Sequence, residues 1–422
     1  MPEEIVSPLD TLNVWNDRRL VGRLWRHPVG FIGFAYDPLW VNEGGFQISR
    51  RLPLKLEPFP PEDSIAHRFF ANLLPEGAVR EHIVRDLKIA NTDFDLLRAI
   101  GGECAGALSL LPVDEVPSGE RSYRQLSSDA LSDLVKSRGI VYSAFPPRER
   151  PRLSLAGAQD KCAVLVREEQ FFLPQKEAPS SHILKFELES YRHVPAYETF
   201  TTMLAGEIGL PVVEIELIEI AGKFCTLTKR YDRYTDERAE IQRLHQEDFC
   251  QALGYSHDRK YQDSGGPSFA DCFVALREAS MEPVIDSQNL LRWQIFNVLA
   301  GNSDGHAKNL SLLHPESGVT RLGPFYDLVC TRAIDRIDHQ LALDVGGERD
   351  PGKIHEAQWD RLAAQCDIRK QFLRGLIVET AASLSEQLQP VKEAFETRFG
   401  PYGALQRIEA VVRKQCRGVL ET

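Results

Sequence analysis

The sequence predicts an α+β fold with a strand-rich first part and a mostly helical last part. In residues 12–37, LNVWNDRRLVGRLWRHPVGFIGFAYD, apolar and polar positions alternate around turns, which is typical of short antiparallel strands. Between residues 153 and 234, β-branched runs broken by turns predict a second small sheet. After about residue 235 the apolar residues recur with the 3.6-residue period of helices. A strand-rich lobe followed by a helical lobe leaves a cleft between them, where ligands commonly bind.

The first predicted unit covers residues 1–112. Its strands are followed by helical spacing at 64–87, which Pro75-Glu76-Gly77 interrupts. A short helix with a glycine stop is predicted at 93–102, and AGALSLLP at 105–112 has the pattern of a closing strand. These elements together predict one compact subdomain.

The second predicted unit covers residues 113–232. It opens with a polar segment, 113–152, which is proline-rich at both ends and has the composition of a linker around one helix. A helix predicted at 197–210 crosses between strands. The strands are predicted at 153–174, 182–188, 212–222 and 223–234.

The third predicted unit, residues 233–422, is a helical lobe. Helical spacing covers LLRWQIFNVLA at 290–300, and it continues through 368–399 and 403–416. The sequence contains no internal repeat and no low-complexity tract.

The composition is that of a globular protein from a reducing compartment. Apolar residues make up 43% and charged residues 26% of the 422 positions, values that are typical of folded domains. No window approaches the run of about 18 apolar residues that a membrane span needs, and the acidic start MPEEIVSPLDTLNVW lacks the apolar region of a secretory signal. The eight cysteines are scattered, without a C-x-x-C pair, and are expected to be reduced core residues. We therefore expect a cytoplasmic protein.

The net charge of −11 argues against autonomous binding to a nucleic-acid backbone, which requires a basic surface. It leaves open a basic partner, or a local basic face such as RRLPLKL at 50–56.

The stretch GNSDGHAKN, residues 301–309, follows the apolar helix at 290–300 directly. Asp304 and Asn309 have the D-x-x-x-x-N spacing of a kinase catalytic loop, in which the Asp accepts the proton of an attacking hydroxyl and the Asn binds a magnesium ion. A tight turn, which Gly305 would permit, brings both groups to one side. The alternative is an ordinary polar turn, since Asp-Gly is among the commonest turn dipeptides.

A second carboxylate, Asp327, lies in GPFYDLV about a dozen residues after this loop. Phosphoryl transfer needs a further metal-binding carboxylate, and a kinase places it after a short hairpin. The segment LSLLHPESGVTRLGPFYD, 310–327, has the pattern of that hairpin. The alternative for Asp327 is a helix N-cap or turn residue.

Two further features lie in the strand-rich part. Lys185 in HILKFEL is flanked by apolar residues, where a phosphate and a partner carboxylate would offset the cost of burying an ammonium group. In LSLAGAQDK, 153–161, small residues at 156–158 form a predicted turn between two strands, where backbone N–H groups could approach phosphate oxygens. The alternatives are an edge strand with its lysine in water and a plain surface turn. The order of all these parts is that of a protein-kinase-like phosphotransferase.

The motifs SLAGAQDK, HILKF, KRYDR, QEDFCQALG, KYQDSGGPS, GNSDGHAKN and PFYD together closely resemble the HipA family of bacterial toxin serine/threonine kinases. The stretch DFDLLRAIGGECAGALSLLP resembles the accessory subdomain of that family. The resemblance extends from about residue 12 to about residue 400. It implies a two-lobe, protein-kinase-like fold with an N-terminal accessory subdomain.

The resemblance also implies roles for individual residues. Asp304 would be the catalytic base, Asn309 and Asp327 would hold Mg²⁺, and Ser154 would be autophosphorylated, an event that expels the phosphate loop and switches the kinase off. The implied nucleotide-binding residues are Ala156, Gly157, Ala158, Gln159, Asp160 and Lys161 in the phosphate loop, Lys185 at the phosphates, Lys229, Arg230 and Tyr231 beside the adenine, and His306, Lys308, Asn309, Tyr326 and Asp327.

For cofactors and partners, the resemblance implies ATP and Mg²⁺, a helix-turn-helix antitoxin similar to HipB, and operator DNA bound mainly through that antitoxin. It implies a protein substrate that is an aminoacyl-tRNA synthetase. Two alternatives stay open at this point. One is a catalytically silent, kinase-like co-repressor, and the other is a kinase whose acceptor is an RNA or a small molecule.

Overall fold

The structure of the chain is a computed structural model. It describes residues 10–421 apart from positions 29, 118, 120, 141, 143–144, 146–149, 188–190 and 316–317. The first nine residues of the first predicted unit, and most of the proline-rich end of the predicted linker, lie outside the described residues. The described residues combine sheets and helices, which confirms the predicted α+β class.

The first sheet is antiparallel, with the strand order β3-β2-β1-β4. Its fourth strand is the predicted closing strand, so the sheet joins residues that lie about ninety positions apart. The helices α2 and α3 are separated at the predicted proline and glycine break, and α4 ends at Gly101 as predicted. The elements are β1 Thr11–Asn16, β2 Arg19–Arg26, β3 Ile32–Tyr36, α1 Pro38–Asn42, α2 Ile65–Ala71, α3 Gly77–Leu87, α4 Asp93–Ile100 and β4 Leu108–Pro112.

The second sheet has six strands in the order β5-β7-β6-β8-β10-β9. Strand β8 lies inside it, between β6 and β10, so its lysine is not on an edge strand. The predicted linker contributes the edge strand β5, which pairs with β7 although its three residues show no alternating pattern. The elements are β5 Tyr123–Gln125, α5 Ser128–Lys136, β6 Lys161–Arg167, β7 Gln170–Pro174, β8 His182–Phe186, α6 Val194–Glu207, β9 Ile215–Ile220 and β10 Lys223–Lys229.

The last part of the chain is mostly helical, as predicted, but it also carries short strands. The predicted hairpin after the 301–309 loop is present as β14 and β15, and β13 pairs with its outer side. The elements are β11 Arg233–Thr235, β12 Ile241–Arg243, β13 His245–Asp248, α7 Phe249–Leu253, α8 Phe269–Ala279, α9 Pro283–Ala300, β14 Ser311–His314, β15 Arg321–Leu322, α10 Glu356–Gln365, α11 Lys370–Phe399 and α12 Leu405–Leu420.

Three buried apolar clusters hold these elements together. One lies between the first sheet and α2–α4, a second lies against the second sheet, and the largest lies among the helices of the last part. Helix α6 follows β8 in sequence, yet its Phe200 belongs to the largest cluster, where it packs against Phe395 of α11. A helix that packs on both sides of the cleft is well placed to position a side chain inside it.

The cysteines and the apolar helices agree with the expectations from composition. All eight cysteines are buried and free, which confirms that they are core residues. Among the described residues, no helix combines the length and the apolar character that a membrane crossing requires.

Candidate active site

A cavity of about 490 Å³ lies between the second sheet and the helical part. Its size is within the usual range for small-molecule sites. Of the site residues predicted from the sequence, all line this cavity except Ser154 and Asp160. Residues from the first part of the chain, the second sheet and the helical part therefore meet at one place.

Lys185 is buried on β8, with 4% of its surface exposed, and it contacts two carboxylates. Its Nζ lies 2.5 Å from Oε1 of Glu198 on α6, and it also donates to Oδ1 of Asp327. Burial opposes the charged ammonium group, but Asp327 and Glu198 outweigh it and raise the pKa of Lys185. The lysine is therefore a buried cation paired on both sides, and the alternative of a lysine pointing into water is wrong.

The two carboxylates of this trio have opposite pKa shifts. Burial, with Asp327 as a neighbouring negative charge, raises the pKa of Glu198, whereas Lys185 and Lys161 outweigh burial and lower the pKa of Asp327. Glu198 was not singled out from the sequence. The signal that could have found it is a carboxylate in the first turns of a helix whose other residues are almost all buried.

Asp327 is held in a left-handed conformation, with φ of 55°. Such a backbone is uncommon for a residue other than glycine and is better tolerated by Asp than by most. The backbone N–H of Phe325 donates to the Pro211 carbonyl at 2.8 Å, and the Tyr326 hydroxyl donates to the Lys308 carbonyl at 2.7 Å. Both neighbours are thus fixed, and the Asp327 carboxylate lies in the cleft beside Lys185.

The 301–309 loop begins where α9 ends at Gly301, with φ of 74°. Asp304 is exposed, and its Oδ1 accepts a hydrogen bond of 2.8 Å from the Tyr261 hydroxyl. The Asn309 side chain donates from Nδ2 to the Asp304 carbonyl at 3.0 Å, so one turn holds both residues. Gly305 is required for close packing, because a Cβ there would lie 2.5 Å from Nδ2 of Asn297.

Two aromatic rings, of Tyr261 and His306, lie near Asp304. Tyr261, which the sequence did not single out, lies edge-on to His306 with the ring centroids 5.2 Å apart. Burial lowers the pKa of His306 to about 4, so the imidazole is neutral near pH 7. For Tyr261, burial and the Asp304 carboxylate raise the pKa, so its hydroxyl keeps the proton that it donates to Asp304.

Lys308 joins the loop to the first part of the chain. Its buried Nζ donates to the carbonyl and to Oδ1 of Asn72, at 3.0 and 2.7 Å, and lies 3.2 Å from Oδ2 of Asp248. Glu76 lies 3.6 Å from Lys308 and 2.8 Å from Lys260. The ammonium of Lys308, predicted to lie near a nucleotide, is thus already surrounded by protein oxygens in the cleft wall.

The segment 153–160 is not a turn between two strands, as predicted: β6 follows it, and the element before it among the described residues is the helix α5. Its backbone instead pairs with the first part of the chain: Leu153 forms a bridge with Glu103, and Gly157 with Pro75. The pairing partners are remote in sequence, which is why alternation within the segment could not reveal them. Gly157 has φ of 112°, which favours glycine.

Lys161 closes this segment at the start of β6. Its Nζ donates to the Ala156 carbonyl at 2.6 Å, and a Cβ on Gly157 would lie 2.9 Å from that Nζ. Burial lowers the pKa of Lys161 to about 8, although Asp327 acts in the opposite direction. The cleft therefore has a second lysine whose charge is only partly balanced.

Two predicted residues lie away from the cavity. Ser154 is completely buried, and its Oγ donates to the Leu73 carbonyl at 2.8 Å. The Asp160 carboxylate lies 3.6 Å from Arg138, and neither residue lines the cavity. Its neighbour Gln159 lines the cavity and donates to the Phe186 carbonyl at 3.2 Å.

The segment predicted to lie beside an adenine, 229–231, crosses the rim of the cleft. The Tyr231 and Tyr326 rings stack with centroids 5.8 Å apart. Lys229 is half-exposed and pairs with Glu214 at 2.7 Å. The Arg230 guanidinium is directed into a buried cluster, where it lies 3.1 Å from Glu103. The side chain of Arg230 thus ties β10 to the first part of the chain.

The family model described as the HipA N-terminal domain matches residues 12–111, and the one described as the HipA-like C-terminal domain matches residues 153–388. The chain belongs to the HipA family. The family expected from the sequence motifs is thereby confirmed.

This HipA-family chain is similar to named kinases. It is 35% identical over 392 residues to the proposed kinase Y4mE of Sinorhizobium fredii. This match covers 90% of this chain and 92% of that protein. It is 30% identical over 340 residues to the serine/threonine-protein kinase toxin HipA of Shewanella oneidensis, covering 76% and 75%. The chain is a protein kinase, as predicted.

A solved structure shows the same fold. It is the complex of Shewanella oneidensis HipA with HipB and operator DNA, which matches with a TM-score of 0.82 at 24% sequence identity and covers 97% of this chain and 99% of that one. The predicted two-lobe, kinase-like fold is thus confirmed.

Proposed function

We propose that this HipA-family chain is an ATP- and Mg²⁺-dependent serine/threonine kinase that acts as the toxin of a toxin–antitoxin module. The observation that carries the proposal is the convergence of Asp304, Asn309, Asp327 and the Lys185–Glu198 pair on one cavity. Phosphoryl transfer is catalysed mainly by positioning and electrostatic stabilisation, which require these groups in one cleft.

In this proposal Asp304 is the base that accepts the proton of the acceptor hydroxyl. Its carboxylate is exposed, as a group that meets a second protein must be. The hydrogen bond from the Tyr261 hydroxyl orients the carboxylate, and the Asn309 side chain holds the backbone carbonyl of Asp304, before the substrate binds. That preorganisation contributes to the rate because the base needs no reorientation during transfer.

Asn309 and Asp327 are proposed to hold the metal. An amide oxygen and a carboxylate suit Mg²⁺, and the Asp327 side chain is still 33% exposed beside its contact with Lys185. No three His, Cys, Asp or Glu side chains converge on one point within the described ranges, so phosphate oxygens would complete the ligand set. Bound there, Mg²⁺ would neutralise the negative charge that develops on the phosphates.

Lys185 and Lys161 are proposed to bind the phosphates. Glu198 holds Lys185 in place from α6, so the ammonium is oriented without moving. Residues 156–158 line the same cavity, and Gly157, with φ of 112°, would allow a phosphate to approach the backbone closely. Tyr231 and Tyr326 would form the flat wall for the base of the nucleotide.

The co-repressor alternative is disfavoured by the site itself. A buried Lys185 with two carboxylates costs desolvation energy, and replacing such groups with apolar residues is often neutral or stabilising. A fold kept only for binding has no need of them. The choice between a protein and another acceptor depends on the surface around Asp304.

For the partners, we propose a helix-turn-helix antitoxin, with operator DNA bound mainly through it. The support is that the similar Shewanella oneidensis HipA is solved with HipB and operator DNA, together with this chain's net charge of −11. We propose an aminoacyl-tRNA synthetase as the protein substrate, on the family resemblance.

We also propose that Ser154 is autophosphorylated. Its Oγ is buried against Leu73, and its backbone N–H donates to the Glu103 carbonyl at 2.9 Å, so the segment must leave its place to be modified. A phosphate could not return to a site with no exposed surface, because burying its charge there is too costly. Phosphorylation would therefore keep 156–158 away from the nucleotide.

Phosphoproteomics after brief expression tests the proposal. Cells expressing the chain should gain phosphorylation on a synthetase serine, and cells expressing Asp304→Asn should not. New phosphorylation that is the same in both would contradict the role of Asp304. A wild-type chain that leaves proteins unmodified but labels RNA or a metabolite would overturn the protein acceptor.

A further inference from the structure

A second cavity, of about 640 Å³, lies where the accessory part of the chain meets the helical part. One wall comes from α2 and residues ahead of it, and the other from 253–259. Three arginines line the cavity, Arg51, Arg68 and Arg259, against one carboxylate, Asp258. Among the residues that the structure describes, none of these guanidinium groups forms an ion pair, and Asp258 already accepts a hydrogen bond from Ser256.

Two of the arginines lie against the same glycine. Arg68 donates from Nη1 to the Gly254 carbonyl at 3.0 Å. The Nε of Arg51 lies 3.1 Å from the point where a Cβ on Gly254 would be, and Gly254 has φ of +80°, so any other residue there would be strained and would displace Arg51. Two guanidinium groups placed around one residue without a counter-ion repel each other, and an anion between them would remove that repulsion.

The basic cavity is adjacent to the proposed catalytic base through two chain segments. Ala71 lines the basic cavity, and the next residue, Asn72, lines the active cleft. Arg259 lines the basic cavity, while Lys260 and Tyr261 line the cleft, where Tyr261 is hydrogen-bonded to Asp304. An acceptor chain whose hydroxyl reaches Asp304 can therefore continue over this short boundary into the basic cavity.

We propose that the cavity of Arg51, Arg68 and Arg259 is a docking site for an acidic segment of the protein acceptor. It selects serines or threonines that have Asp or Glu nearby. Arginine forks bind carboxylates in a bidentate way, and Arg68 uses only one of its five N–H groups on Gly254. The inference rests on the proposed function, because it requires Asp304 to be the point of transfer.

The acidic residue is expected close in sequence to the phosphorylated hydroxyl, because adjacent residues of the chain line the basic cavity and the cleft. Arg259 and Tyr261 are two residues apart, and an extended peptide rises roughly 3.3 Å per residue. The docked carboxylate is therefore expected about two to four residues from the phosphorylated hydroxyl.

A peptide fits this surface better than a nucleic acid. The chain carries a net charge of −11, so an extended polyanion would be repelled over most of the surface. The three arginines share one cavity, which suits one or two carboxylates. In a protein of net negative charge, such a cavity also steers an acidic segment of the substrate towards the cleft at Asp304.

The test uses the full chain and two labelled twelve-residue peptides with a central serine. In one, Asp and Glu occupy positions two to four residues on both sides of the serine, and in the other Lys does. Binding is measured by fluorescence anisotropy, and phosphorylation by the kcat/KM of each peptide with ATP and Mg²⁺. The acidic peptide should bind about fivefold to tenfold more tightly, and the difference should shrink at high salt.

The variant Arg51→Glu/Arg259→Glu reverses two charges of the cavity. The matched control, Arg85→Glu/Arg238→Glu, makes the same charge change at exposed arginines outside both cavities. The cavity variant should lose the preference for the acidic peptide, and the control should keep it. Both should bind nucleotide as the wild-type chain does.

Each other outcome overturns the inference. Equal binding of both peptides by the wild-type chain would do so, as would a preference that the Arg51→Glu/Arg259→Glu variant retains. Displacement of the acidic peptide by a short single-stranded RNA at lower concentration would assign the cavity to nucleic acid instead. A chain that binds the acidic peptide through the cavity but transfers no phosphate contradicts the proposed function and leaves the docking site supported.

Discussion

Glu76→Gln should weaken the contact between the accessory part of the chain and the catalytic loop. Glu76 lies 2.8 Å from Lys260 and 3.6 Å from Lys308, and its backbone N–H donates to the Gly157 carbonyl at 3.0 Å. One residue from outside the kinase lobes thus contacts the phosphate segment, the catalytic loop and the residue beside Tyr261. The glutamine keeps the shape and the backbone hydrogen bond and removes only the charge.

The size of the effect follows from burial. The side chains of Glu76 and Lys260 are only 10% and 13% exposed, so their pair is largely shielded from water. A hydrogen bond to a charged group contributes roughly 1.5–3 kcal/mol, and the amide oxygen still accepts one. Lys308 also keeps Asp248 at 3.2 Å. We therefore expect the free energy of unfolding to fall by about 2 kcal/mol.

The pH dependence gives this prediction a sign. Burial raises the pKa of Glu76, but Lys308 and Lys260 outweigh it and lower the pKa below its ordinary value of 4.5. The charge therefore stabilises the fold above pH 4.5, and the contribution is lost as the pH falls through the lowered pKa. The difference between wild type and Glu76→Gln should shrink in acid.

Urea denaturation of both chains at pH 7 and at pH 4 measures this difference. The control is Glu278→Gln, since Glu278 pairs with Arg50 at 2.9 Å but is 61% exposed, and such a pair contributes about 0.5 kcal/mol. Glu76→Gln should also lower the rate of phosphoryl transfer, because Lys260 and Lys308 lose a common anchor. If Glu76→Gln and Glu278→Gln have the same urea midpoint and the same rate of phosphoryl transfer, Glu76 does not couple the accessory part of the chain to the catalytic loop.

Three further predictions concern the cleft itself. Glu198→Gln leaves Asp327 as the carboxylate partner of Lys185, so the lysine is drawn towards the proposed metal ligand. Labelling of protein with radioactive ATP should fall at least about tenfold, and unchanged labelling would contradict the positioning role of Glu198. His306 has a pKa of about 4 in the folded chain against 6.5 when unfolded, so the unfolded chain binds a proton first as the pH falls below 6.5, and the fold loses stability. Urea unfolding at pH 7 and pH 4 should therefore show a loss of about 3 kcal/mol in the free energy of unfolding that His306→Gln lacks. Lys161 has a pKa of about 8, so calorimetry should show nucleotide affinity falling from pH 7 to pH 9, and Lys161→Arg should flatten that fall.

The long helices and the hairpin could be predicted because their signal is local. The apolar periods of α9, α11 and α12 repeat over several turns, and the turn between β14 and β15 is flanked by apolar runs. The strands β5, β11 and β12 have three residues each and are rich in polar side chains. Strands of that length have no periodicity to detect, and pairing with remote segments defines them.

The site could be predicted where its residues share one loop. Asp304 and Asn309 lie on a single turn, so their spacing alone relates them. Glu198, Tyr261 and Glu76 reach the cleft from three other elements. Their places depend on how the parts of the chain pack, and a single sequence carries no distances between remote segments.

Arg230 shows why a motif does not determine the direction of a side chain. The motif predicts that Arg230 lies beside the nucleotide, and Arg230 is among the residues that line the cavity. Its guanidinium instead contacts Glu103, a fully buried carboxylate that also pairs with Arg233 and Arg243. A buried carboxylate requires such cations, so the accessory part of the chain determines the orientation of Arg230.

The measurement that tests the account most directly is transfer from labelled ATP by the purified chain with Mg²⁺, compared with Asp304→Asn. The wild-type chain should incorporate phosphate into protein serine or threonine, and Asp304→Asn should bind nucleotide with the same affinity but lose at least about a hundredfold in rate, as removal of a general base does. Asp335→Asn, which changes an exposed carboxylate paired with Arg407, should behave as wild type. Full transfer by Asp304→Asn, or none by the wild-type chain with nucleotide bound, would contradict the central claim.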